Sequence, residues 1–173
     1  MWKKIGLISI VLTLSACSMP SLPKLFQGDS EEIIKEQRPE KIDQKSYATA
    51  YEATLQTYHD RVGEHFYVNQ FNKGVQDWFA DRILIPVNTI REKISQGGHD
   101  SKNYAYFSGV LFASDLQTNF QRLGNKCWQA INIASLSIGI QDAMQDLKQH
   151  TAKSQDDPYL QDGTQQLLPF CIK

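Results

Sequence analysis

No run of apolar residues in this sequence is long enough to cross a membrane. The nearest candidate, Ile5–Leu14, holds ten residues and is interrupted by Gly6, Ser9 and Thr13. As a helix it would measure about 15 Å, half the hydrocarbon thickness of a bilayer. A second stretch, Ala130–Ile140, has eleven residues and is too short for the same reason. Basic residues never gather into a contiguous block, which argues against nucleic acid as a partner. No repeat of roughly 20 to 50 residues, the signature of a solenoid, is visible. There is no G-x-S-x-G elbow, P-loop, dinucleotide-binding glycine pattern or H-E-x-x-H pair, so no catalytic residue, metal or cofactor is expected. Cysteine is scarce, three in 173 residues. A chain of this length can instead rest on a hydrophobic core, and aromatic residues are spread along it as a folded body requires.

What is present begins at the amino terminus. Met1–Lys4 carries two cations and no acid ahead of the short apolar run, the n-region and h-region of an export signal. Leu14-Ser15-Ala16-Cys17 follows: one aliphatic residue, two small ones and a cysteine. This tetrapeptide resembles the lipobox of bacterial lipoproteins. The resemblance covers the first 17 residues. It implies cleavage before Cys17, a diacylglyceryl thioether on the Cys17 sulfur and, usually, acylation of the new amino terminus. Two or three acyl chains supply the double signal that stable anchoring needs, so a membrane is the first expected partner. In Gram-negative lipoproteins an aspartate after the cysteine favours retention in the inner membrane. Ser18 stands there instead, which implies the outer membrane, with the domain facing the periplasm. Removing residues 1–16 from 173 leaves 157, with 16 basic and 19 acidic side chains because Lys3 and Lys4 are lost.

Residues 17–45 read as a lipidated tether. They contain Pro20, Pro23 and Pro39 and a charged stretch, Asp29–Arg38, in which Ser30 is placed to cap a short helix that Pro39 ends. Residues 46–173 read as an all-α domain, a compact bundle of four or five helices with a disulfide-pinned tail. Tyr47, Tyr51, Leu55, Tyr58 and Val62 form one helical stripe, with Gly63 at the position of a C′ residue. Phe71, Val75, Trp78 and Phe79 mark a second helix, weakened by Gly74. Pro86 suits the start of a third that ends at Gly97-Gly98. Asp100 or Ser101 caps a fourth, which Gly124 terminates. A fifth is expected from near Asn125 to His150, apolar on more than one face over Ala130–Ile140 and so surrounded by neighbours. The short connections predict that consecutive helices pack together. Gln155–Pro158, Asp162-Gly163 and Pro169 make the tail read as a loop.

With Cys17 lipidated, Cys127 and Cys171 remain, and an even number outside the cytoplasm reads as a disulfide. Four histidines are the other chemical candidates. His59 and His65, with Asp60 and Glu64 between them, lie six apart and out of helical phase, so exposed polar residues at a helix end are expected rather than a metal pair. His99 falls in a Gly-Gly loop, and His150 at a helix C-terminus suits the dipole there. Asp156, Asp157 and Asp162 do not match a calcium-loop spacing and read as loop solvation. Tyr47, Tyr51 and Tyr58 have two readings: core packing with hydroxyls at the rim, or a partner-binding face, since tyrosine is a favoured hot-spot residue.

These features lead to a non-enzymatic binding or assembly module for another envelope protein, similar in architecture alone to the pilotins. The alternatives are a lipid-anchored hydrolase and a surface-exposed lipoprotein that meets host molecules.

Overall fold

The computed structural model describes residues 38–172. The signal segment, Cys17 and the Ser30-capped segment therefore lie outside the described residues. Within them the chain forms seven α-helices and no strand: α1 (Gln44–Tyr58), α2 (Val68–Phe79), α3 (Val87–Gln96), α4 (Ser101–Leu123), α5 (Asn125–Gln129), α6 (Ile133–Gln149) and α7 (Pro158–Cys171).

The caps set the boundaries. Asp43 opens α1 by accepting the Ser46 amide at 3.2 Å, and its carboxylate also receives the Ser46 hydroxyl and Lys45 Nζ. Burial disfavours the charge on Asp43, but these hydrogen bonds outweigh it and hold the carboxyl below its usual range. The helix closes at Tyr58, a turn earlier than the apolar stripe implies. Val62 is buried from the turn beyond it, so Gly63 is not a helix cap. Asp100 caps α4 through the Lys102 and Asn103 amides, both at 2.9 Å, and Gly124 ends it.

Two expectations need correction. The long fifth helix is broken at Asn132, whose side chain caps α6 by accepting the Ser135 amide at 2.9 Å while its own amide donates to Ser46 Oγ at 2.8 Å. An asparagine that satisfies backbone donors inside an apolar run starts a new helix there. The tail is also helical. Asp157 caps α7 by accepting the Tyr159 and Leu160 amides, with Pro158 in the first turn. Leu160, Gly163 and Leu167 then face the core at spacings of three and four. Burial of that stripe outweighs the turn-like Asp162-Gly163 and the late Pro169.

Packing also departs from the chain order. α1 lies on α6 and α7, and α2 lies on α4, although neither α1/α6 nor α2/α4 is consecutive. The α1 and α6 helices run parallel: Asp43 meets Ser135, Tyr47 meets Asp142 and Tyr51 meets Asp146. The α2/α4 pair is parallel as well, with Tyr67 beside Lys102 and Trp78 beside Gln117. A parallel pair needs a return crossover, and α3 supplies it by packing back along α4, where Arg91 pairs with Asp115. The main core gathers Tyr58, Phe71 and Phe112, with ring centroids 4.9 to 5.9 Å apart. A second core lies between α1, α6 and α7 around Tyr51, Ile138 and Leu160.

Candidate functional site

The parallel pairs give the bundle two ends. At one, the starts of α1 and α6 meet α5 and the C-termini of α2, α4 and α7. At the other, the ends of α1 and α6 meet the starts of α2 and α4. A cleft of about 430 Å³ opens at this second end, within the size range of small-ligand sites.

One wall is the turn after α1. Lys148, in the last turn of α6, donates from Nζ to the carbonyls of Gly63 (3.1 Å), Phe66 (3.2 Å) and Glu64. A single cation thus holds three carbonyls and fixes the turn's path. Phe66 packs on Tyr58 and Phe71, while Arg61, Glu64 and His65 are exposed along the cleft. The opposite wall is Gly97, Gly98, His99, Ser101 and Tyr104. Gly97 and Gly98 sit at φ of +70° and +83°, which side chains rarely adopt, so the chain turns sharply from α3 into α4. His99 places Nε2 2.9 Å from the Lys93 carbonyl and packs edge-on against Phe107. The Asp100 carboxyl lies below its usual range because the Asn103 amide, then that of Lys102, bonds its charged form. Tyr104 is 46% exposed. Arg61 holds its guanidinium 5.9 Å from the Tyr58 ring, and the cleft lining carries both charge signs and an exposed aromatic ring.

Of the sequence candidates, the structure brings Glu64, His65 and His99 into this cleft. His59 stays outside it, exposed and 2.7 Å from Asp60 Oδ2. His150 caps α6 in the left-handed conformation. No group of three His, Cys, Asp or Glu among the described residues is arranged to hold a metal. Cys127 and Cys171 lie at disulfide distance, 1.98 Å between sulfurs, joining α5 to the C-terminus of α7.

The tyrosine stripe is not a face open to a partner. Tyr47, Tyr51 and Tyr58 are 8%, 0% and 7% exposed. Their hydroxyls are engaged inside the bundle: Tyr47 donates to Asp142 at 3.0 Å, Tyr51 donates to Asp146 at 2.6 Å and accepts the Lys153 amide at 3.0 Å, and Tyr58 reaches the Ser108 carbonyl at 3.5 Å. Burial, reinforced at Tyr47 and Tyr51 by those carboxylates, raises all three phenols above their ordinary value. Sequence reasoning did not single out Arg61, Phe66 or Tyr104. The cleft joins two turns far apart in the chain, and nothing local in either says that the other lies opposite it.

A lipobox ahead of a helical domain defines the class, a bacterial lipoprotein. More specifically, residues 40–173 match the family model described as "Uncharacterised lipoprotein", and the chain belongs to that family. It is similar to a protein of Haemophilus influenzae strain Rd described as "Uncharacterized protein", with 45% identity over 176 residues, 99% of this chain and 97% of the relative. No solved structure matches the chain.

Proposed function

We propose that this lipoprotein is anchored to the outer membrane by lipid on Cys17. Its domain faces the periplasm and works as a non-enzymatic binding module for another envelope protein, engaged at the cleft between residues 61–66 and 97–104. The observation that carries this reading is the cleft's construction. Its walls are fixed by the Lys148 clamp and the Asp100 cap, while Arg61, Glu64 and Tyr104 project exposed. Rigid backbone behind exposed polar and aromatic groups lowers the entropy cost of binding, and arginine and tyrosine are the residue types that most often dominate interfaces. The relative in Haemophilus influenzae, a Gram-negative organism, supports the outer-membrane placement that Ser18 implies.

The hydrolase alternative would rest on Glu64, His65 and His99 sharing this cleft. His99 is already committed to the Lys93 carbonyl, which leaves His65 as the histidine to act. Complementation of a deletion strain separates the two readings. Arg61→Glu with Tyr104→Ala should abolish rescue, while His65→Ala should retain it. Loss of rescue in His65→Ala, with an unchanged circular dichroism spectrum, would favour the enzyme. Protease treatment of whole cells distinguishes the periplasmic placement from surface exposure, since a periplasmic domain survives it.

A further inference from the structure

The end of the bundle opposite the cleft differs from it in chemistry. Three contacts define that end. Phe79, closing α2, stacks on Trp128 of α5 at 6.2 Å. Phe120, near the end of α4, stacks on the same ring at 6.4 Å. Cys171, closing α7, is joined to Cys127 of α5. The chain segments that reach this end leave apolar side chains exposed: Leu84 at 94% and Ile85 at 39% after α2, Leu123 at 57% closing α4, and Leu168 at 45%, Phe170 at 47% and Ile172 at 68% at the end of α7. Single exposed leucines are ordinary, but several large apolar groups sharing one end call for an occupant. Asp43, paired with Lys45 at the start of α1, and the exposed Asp81 after α2 are acids of this end, but around α5 the charges are positive. Arg122 and Lys126 are exposed, no acid occurs between Leu116 and Gln141, and none occurs from Gly163 onward.

We propose that this end is a membrane-contacting surface: the bundle lies with the α5/α7 junction against an anionic phospholipid leaflet, and the cleft points away from it. Exposed apolar groups beside the cations Arg122 and Lys126, in stretches 116–141 and 163–172 that hold no acid, are the chemistry of an interfacial lipid contact. The chain's own connection brings that leaflet within range. Twenty residues separate Cys17 from Arg38, which span at most about 70 Å even when fully extended. The bundle is itself roughly 35 Å long, judged by the 23-residue α4. A tethered surface meets the bilayer at high effective concentration, so contacts too weak to recruit a free protein suffice to orient a lipidated one. A second copy of the chain suits the patch less well, because facing patches would bring Arg122 and Lys126 of both copies together.

The inference rests on lipid at Cys17, so the test uses full-length mature protein whose lipidation has been verified by mass. That protein is placed in vesicles of phosphatidylethanolamine and phosphatidylglycerol carrying brominated acyl chains, which quench tryptophan on contact. Tryptophan is introduced in turn as Leu84→Trp, Phe170→Trp and, on the cleft side, Tyr104→Trp, each read against the parent protein's own emission. Loss of the added emission at positions 84 and 170 but not at 104, weakened when phosphatidylglycerol is replaced by phosphatidylcholine, is the expected result. Equal emission at all three positions overturns the proposal, as does crosslinking between copies through residues 84 and 170. Amide exchange of the unsubstituted lipidated protein gives a reading independent of the variants. Residues 82–86 and 168–172 should exchange more slowly in vesicles than in detergent, and no difference would count against the lipid contact.

Discussion

Gly74 and Gly109 are the crossing point of α2 and α4. A Cβ on Gly74 would lie 2.1 Å from the Tyr106 carbonyl oxygen, and one on Gly109 would lie 2.0 Å from that of Phe71. Each glycine rests on the other helix's backbone, which cannot give way as a side chain can. Gly109→Ala therefore forces the pair apart and opens the Phe71/Phe112 core. Overpacking of this kind costs about 3 kcal/mol, and urea unfolding followed by circular dichroism should show a lower midpoint. An unchanged midpoint would mean that the helices are not this close. Gly139, against the Tyr47 carbonyl at 2.4 Å, predicts the same for the α1/α6 pair.

The buried phenols predict an alkaline limit. Tyr47, Tyr51 and Tyr58 are raised, and Tyr106, through burial and then its bond to Asp77, is pushed up to about 12. The unfolded chain ionises its tyrosines near pH 10, while the folded one keeps these protonated. Between the two values the folded state binds more protons, so stability is full below about pH 10 and falls as pH rises. Phenolate absorbance and circular dichroism should change together in one transition. Separate titration of these four groups in a folded protein would contradict the burial.

Joining Cys127 to Cys171 closes a loop with a sequence separation of 44. Replacing both with alanine should lower stability by about 4 kcal/mol on the chain-entropy scale, and α7 should lose amide protection before α1. Non-reducing peptide mapping of protein isolated from the envelope should recover one linked pair. Two free thiols there would remove the bond from the fold.

Much of this fold was legible where a boundary depends on one residue and its immediate neighbours. Asp100 with Gly124 marked α4, and Pro86 with Gly97 marked α3, because caps and breakers act over a few residues. The long-range part was not legible. Gly74 read as a weakness in a helix, whereas it is the point at which another backbone makes contact. The Tyr47 stripe is visible in the spacing, but nothing local says that Asp142 and Asp146 will receive its hydroxyls. Asp157-Pro158 is a good helix start, but Gly163 and Pro169 read as breakers, and nothing local says that Gly163 will lie against Ala48 and the Gln44 carbonyl of α1. The cleft is the extreme case: His65 and His99 look unrelated until α3 carries the chain back along α4.

Lys148 offers a way to loosen the cleft without touching its lining. Lys148→Met removes the donor to the Gly63, Glu64 and Phe66 carbonyls but keeps the length of the stem. Amide exchange over residues 61–66 should quicken while α1 and α4 stay protected. Function should fall in step if a fixed turn is what binding requires.

The most direct measurement is site-specific photocrosslinking in living cells. A photoreactive residue is placed at Glu64, at Tyr104 or, as a control on the outer side of α7, at the exposed Gln161. Binding at the cleft predicts one discrete envelope adduct from positions 64 and 104, absent from 161 and lost when Arg61→Glu is added. An adduct from 161 alone, or one from the cleft positions that survives Arg61→Glu, would contradict it.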